Sequence, residues 1–207
     1  MARIGLRGAT LARYNVDANG AVTYGTPISG GCARAADLQL QFAEAELWGC
    51  DGLREYLREA VGGTITFEAT FFSPEMKVLA FGNQEKTRQI TYQNDQGVDV
   101  TKTITSVADT SGDNAPYVGF ACYSPDMINH VKKWAAVFVP CVKFSSPNST
   151  MQTRDNNIAF QTPTTTGRFL PDDTDKHVIR DVAILDTEAE AQAWCLACFV
   201  QPAGAGG

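Results

Sequence analysis

The chain has no apolar run approaching the ~18–20 residues of a membrane-crossing helix, so no helical membrane span is expected. Its first residues, MARIGLRGATLARYN, lack the continuous apolar segment of a secretory signal, and retention in the cytoplasm of the producing cell is the expectation. Histidine is scarce: His130 and His177 are the only two. A zinc site would need further ligands, and neither HxxxH nor GxSxG occurs. Basic residues are outnumbered 23 to 17 and form no patch that could grip phosphates, which argues against specific nucleic-acid binding. No internal repeat is present. These absences leave no catalytic, metal or cofactor signature.

Six cysteines are scattered through the chain. Cys122 and Cys141 stand in apolar strand-like runs, where a thiol behaves as a small hydrophobe, and a reducing cytosol favours thiols over disulfides. Cys195-Leu-Ala-Cys198 has redox spacing. Redox pairs open a helix, where the dipole favours thiolate, whereas this pair falls near a helix end, so buried thiols are the expectation. Asp172-Asp173-Thr174-Asp175 lacks the spacing of a calcium loop and reads as a solvated turn. His130, within MINHVKK, reads as a loop residue rather than a base.

What is present is a folded, mainly β chain. At 44% hydrophobic and 19% charged residues, 207 residues suit one all-β domain, with or without an appendage. Over 36–42, Leu38, Leu40 and Phe42 alternate with Asp37, Gln39 and Gln41. Over 64–71, Ile65, Phe67, Ala69 and Phe71 alternate with Thr64, Thr66, Glu68 and Thr70. Period two of this kind marks a sheet with one buried and one wet face. After Phe42 the parity inverts, with Ala43, Ala45 and Leu47 apolar, which predicts a bulge. Ser73-Pro74-Glu75 is a helix start, with a hydroxyl N-cap, Pro at the first position and an acid in the first turn; Gly82 is its stop.

Residues 48–62, between the two strands, read as a long loop. Leu47, Trp48, Leu53, Tyr56, Leu57 and Val61 give it more large apolar groups than a solvated loop can use. Leu53, Tyr56, Leu57, Ala60 and Val61 also fit helical spacing, with Asp51 as N-cap and Gly62 as stop. The segment is therefore either a short amphipathic helix under the sheet or an arm that docks on another copy.

Downstream, 88–92 and 98–106 read as a hairpin inserted at 86–107, turning at Asn94-Asp95-Gln96-Gly97. Strands are expected over 117–123, 133–144 and 158–170, with Pro140 marking a bulge or edge and Pro163 an interruption. The segment 173–207 changes character. From Asp172 onward seven carboxylates face two cations, while the rest of the chain is nearly neutral. A strand is expected over 178–185, and Thr187-Glu-Ala-Glu190 is a capping box opening a helix at about 188–200. Trp194 and Phe199 give that helix its packing side, against the body or a neighbouring subunit. The division is then a β domain over 1–172 and an extension over 173–207.

The order of these pieces resembles the major tail tube proteins of long-tailed phages with non-contractile tails. ARIGLRGATLARY, TYGTP, AADLQLQFAEAELWGCDG, GGTITFEATFFSPEMKVLAFG, APYVGFACY, WAAVFVPCVKFSSPNSTMQT and NIAFQTPTTTGRFLPD carry the resemblance. It implies a β-sandwich or barrel with one flanking helix, six copies closing a ring, and rings stacking through the long loop arm. It also implies a lumen that passes DNA without binding it, and tape-measure, tail-terminator and baseplate proteins as further partners. The place implied is the virion tail, assembled in the host bacterial cytoplasm. On that reading Asp37, Gln39, Gln41, Thr64, Thr66 and Glu68 face the lumen. A non-basic lining there would let the duplex slide. The competing reading is a monomeric β-sandwich binding module for a carbohydrate or peptide. An enzyme ranks behind both.

Overall fold

The computed structural model describes residues 2–3, 5–148 and 162–200. In chain order the strands and helices are β1 (Ala2–Arg3), β2 (Arg7–Val16), β3 (Val22–Tyr24), β4 (Ile28–Ser29), β5 (Ala33–Gly49), β6 (Gly52–Ala69), α1 (Pro74–Phe81), β7 (Gln84–Gln93), β8 (Asp99–Ala108), β9 (Val118–Ile128), β10 (Val131–Phe144), β11 (Thr164–Leu170), β12 (Asp181–Leu185) and α2 (Glu188–Ala197). The fold is mainly β, with antiparallel sheets and a C-terminal helix. The first part of the strand expected over 158–170 and the residues 201–207 lie outside the described residues.

The main sheet runs β3-β2-β9-β10-β11-β6-β5. Two strands share one edge of β10: β12 pairs with Trp134–Phe138, and β11 pairs with 141–144. The sheet curls, because Leu11 of β2 and Ile65 and Phe67 of β6, far apart in strand order, are buried in the same core with Phe120, Val139 and Phe169. Aromatic rings meet edge to face there, Phe67 and Phe120 at 5.3 Å between centroids, the geometry their quadrupoles favour.

Helix α1 plugs this core with Met76, Ala80 and Phe81. Its caps are those expected. The Ser73 hydroxyl accepts from the Met76 amide at 3.2 Å, and Gly82 ends the helix in the left-handed region at φ +73°. A β-carbon on Gly82 would stand 2.5 Å from the Asn114 carbonyl oxygen, so the stop tolerates glycine alone. Pro140 sits where the β9–β10 register shifts between Val139 and Val142, as its missing amide predicts. His130 lies in the two-residue turn Asn129-His130, both at positive φ, that joins β9 to β10.

The long loop expected over 48–62 is not a loop, and the helix expected within it does not form. Strands β5 and β6 run on as one antiparallel ladder as far as Gly49 opposite Gly52. Only Cys50 and Asp51, at φ +49° and +61°, turn the chain. The helical spacing was misleading because two register shifts break the period of two. One lies between Gln41 and Phe42, where Val61 is the extra residue. The other lies between Leu47 and Trp48, where Arg54 is extra. The first falls at the level where the parity inversion predicted a bulge, but its extra residue is on β6 rather than on β5, which carried the inversion.

Candidate functional site

The β5–β6 hairpin leaves the body at a defined point. β11 pairs with β6 from Glu68 to Gly63 and ends there. Beyond it, among the described residues, β5 and β6 pair only with each other, and eight residues from Phe42 to Gly49 reach about 26 Å at strand rise. Gly62 and Gly63 permit the exit. Gly62 stands at φ +139°, and a β-carbon on it would lie 2.5 Å from the Phe169 carbonyl oxygen.

The projecting arm is apolar on both faces. Cross-strand partners share a face, so Phe42, Glu44, Glu46 and Trp48 lie with Tyr56, Arg58 and Ala60, while Ala43, Ala45 and Leu47 lie with Glu55, Leu57 and Glu59. Polar contacts pin the first face. Arg58 pairs with Glu44 at 3.2 Å and covers the Phe42 ring at 3.9 Å, and the Trp48 indole donates to Glu46 at 2.9 Å. The large apolar groups themselves are left in solvent: Trp48 is 65% exposed, Leu57 59% and Leu47 57%, with Tyr56, Leu53 and Val61 close behind. All six arm residues picked out from sequence are thus brought onto one projection. Phe42, read from sequence as a strand residue in line with Leu38 and Leu40, belongs to it as well, as does the Glu44–Arg58 pair, which only register brings together.

Asp37, Gln39 and Gln41 lie opposite Thr66, Thr64 and Gly62, and Glu68 lies opposite Ala35, so the six polar residues share the face turned away from the core. That face extends further than the two strands suggested. Thr164, Thr166 and Arg168 of β11 are register partners of Glu68, Thr66 and Thr64, and Lys143 of β10 is the partner of Arg168. A shallow depression of about 600 Å³ lies among Thr64, Thr66, Lys143, Ser145, Thr166 and Arg168. The cations are engaged: Lys143 donates to Asn114 at 2.9 Å, and Arg34 bridges to Glu68 at 3.1 Å. The strip is polar and of mixed charge. Lys143 and Arg168 were missed because only register brings them beside β6.

The same side of the sheet, over β2, β9 and β10, is covered by α2. Phe199 is buried and Trp194 half-buried, with Trp134, Phe138 and Tyr24 beneath them. Phe199 meets Phe138 and Tyr24 edge to face at 5.3 and 5.5 Å. The expected capping box is present: Thr187 accepts from the Glu190 amide, and the Glu190 carboxylate accepts from the Thr187 amide at 3.0 Å. The predicted C-terminal strand and helix therefore cover a sheet face of their own chain, and β12 continues the main sheet. Arg7–Glu188 and Lys133–Asp186 ion pairs tie the segment down.

Burial pushes the Cys195 and Cys198 thiols up to about 12, and Cys141 likewise. A redox pair needs the opposite shift. Asp172 is an acceptor within its own turn, bonding the Thr174 hydroxyl at 2.6 Å and the Val178 amide at 2.7 Å, while Asp173 accepts from Tyr14 at 2.8 Å. Those carboxylates are occupied by the fold. Among the described residues, no group of three or more His, Cys, Asp or Glu side chains is placed to hold a metal ion. No helix among the described residues is long and apolar enough to cross a membrane. No protein-family model matches the chain, and no curated protein matches it in sequence.

Proposed function

We propose that this chain is a self-assembling structural subunit: a phage tail tube protein whose copies close into hexameric rings and stack around a lumen for DNA. The observation that carries the proposal is the β5–β6 arm, which holds Trp48, Leu53, Tyr56, Leu57 and Leu47 in water on a ladder beyond the body. An exposed apolar projection of that kind marks an interaction surface. The arm is already paired, so docking would fix side chains at about 0.5–1.5 kcal/mol each and spare most of the backbone ordering. Burying each large apolar group would return roughly 1.5–3 kcal/mol. The polar strip of Asp37, Gln39, Gln41, Thr64, Thr66 and Glu68 begins where the arm ends and suits the lumen wall. Tape-measure, tail-terminator and baseplate proteins are the further partners this reading requires, and the virion tail is the location.

The test is the pair Leu53→Ser and Leu57→Ser in one protein. Both side chains lie outside the core, so far-ultraviolet circular dichroism should be unchanged while light scattering shows assembly lost. Assembly at the wild-type concentration and rate would reject the arm as the docking element.

A further inference from the structure

Strands β7 and β8 form a two-stranded sheet of their own, apart from the main sheet. Its base is tied by the Asn83 amide, which donates to Asp113 at 3.0 Å, and β8 also touches α1. Each strand has ten residues, and their side chains are exposed along most of the length. A ribbon of two strands is marginal in water without a surface to lie on.

Its two faces differ in charge. Register places Lys86, Arg88, Ile90 and Tyr92 with Ile104, Lys102 and Val100 on one face. The other face carries Thr87, Thr91, Thr101, Thr103 and Thr105 with Glu85 and Asp99. Every cation of the ribbon is thus on the apolar face, and no acid is. On the arm the Ala43, Ala45, Leu47 and Leu57 face carries Glu55 and Glu59; the nearby cation, Arg54, is the extra residue of the second bulge and donates to the Gly49 carbonyl at the tip, at 2.9 Å. The ion pairs among the described residues are Arg7–Glu188, Arg34–Glu68, Arg58–Glu44 and Lys133–Asp186, and none uses these five residues.

The spacings also agree. Glu55 and Glu59 stand four residues apart on β6, with Leu57 between them. Lys86 and the level of Lys102, which is opposite Ile90, also stand four residues apart, with Arg88 between. Both intervals are about 13 Å at strand rise.

We infer that the basic apolar face of the β7–β8 ribbon is the receptor for the acidic apolar face of the β5–β6 arm of a second copy of this chain. The inference rests on the self-assembly reading and names the surface on which the arm docks. Leu47 and Leu57 lie against Ile90, Tyr92 and Ile104, with Glu55 and Glu59 over the lysines. Opposite charges on matched ribbons fix register and exclude the like-charged pairing of arm with arm.

Charge reversal tests it on the full chain. Three proteins are compared with wild type by sedimentation velocity: Lys86→Glu/Arg88→Glu/Lys102→Glu, Glu55→Lys/Glu59→Lys, and the combination of all five. Circular dichroism confirms the fold of each. The first two should raise the concentration needed for assembly at least tenfold, and the combined protein should return to within about threefold of wild type. Wild-type chain that stays monomeric at every concentration would overturn the self-assembly reading and this inference with it. Wild-type assembly with undiminished assembly of either reversed protein would overturn the inference alone, as would failure of the combined protein to recover.

Discussion

The Phe169 ring of β11 lies over Gly63 of β6, its register partner, so closely that a β-carbon on Gly63 would stand 2.2 Å from the ring and 2.2 Å from the Gln39 carbonyl oxygen. Here the sheet body ends and the arm begins. Gly63→Ala should therefore cost about 1–3 kcal/mol through overpacking, seen as a lower midpoint in urea. Gly112→Ala, with open space around the added carbon, should stay within about 0.5 kcal/mol of wild type. Equal effects of the two would contradict this packing.

Residues 173–200 belong to the body of the fold. Removing them would strip β12 from β10 and uncover Trp134, Ala136 and Phe138, now buried beneath α2. A chain ending at Asp172 should bind a hydrophobic dye and melt well below wild type, even as a monomer. Thr187→Ala, which removes one side of the capping box, should cost about 1 kcal/mol. A truncated monomer with an unchanged melting curve would assign the segment to contacts between copies instead.

Thiol chemistry gives a third check. Cys32 and Cys50 are exposed, whereas burial holds Cys141, Cys195 and Cys198 protonated up to about 12. Native protein at neutral to mildly alkaline pH should take up alkylating reagent at the exposed Cys32 and Cys50 and be slow at the other three by mass spectrometry. The same shifts set an alkaline limit. Between the ordinary thiol value of 9.0 and about 12 the folded state keeps protons that the unfolded state releases. Their stabilisation is complete below pH 9.0 and is lost as pH rises through that window. Burial raises Tyr14 and Tyr24 in the same direction. The urea midpoint should fall steadily above about pH 9; a midpoint constant to about pH 11 would be inconsistent with buried thiols.

How far the sequence could be read depended on the range of the interactions. Helix α1 was legible to the residue because Ser73, Pro74 and Gly82 act within one turn of themselves. The capping box at Thr187 was legible for the same reason. Period two exposed the wet face of Asp37, Gln39, Gln41, Thr64 and Thr66, since nothing interrupts β5 or β6 there. The arm was misread as loop or helix because Val61 and Arg54 each add a residue to one strand, and bulges erase periodicity. Neither the extension of the wet face to Thr166, Arg168 and Lys143 nor the covering of Phe138 by Phe199 could be seen locally. Both depend on pairings between strands far apart in the chain.

The most direct measurement is negative-stain electron microscopy of the purified wild-type chain over a range of concentrations. The account predicts rings or hollow tubes with sixfold end views, growing in number and length with concentration. A field of uniform small particles at every concentration would contradict it and favour the monomeric binding module.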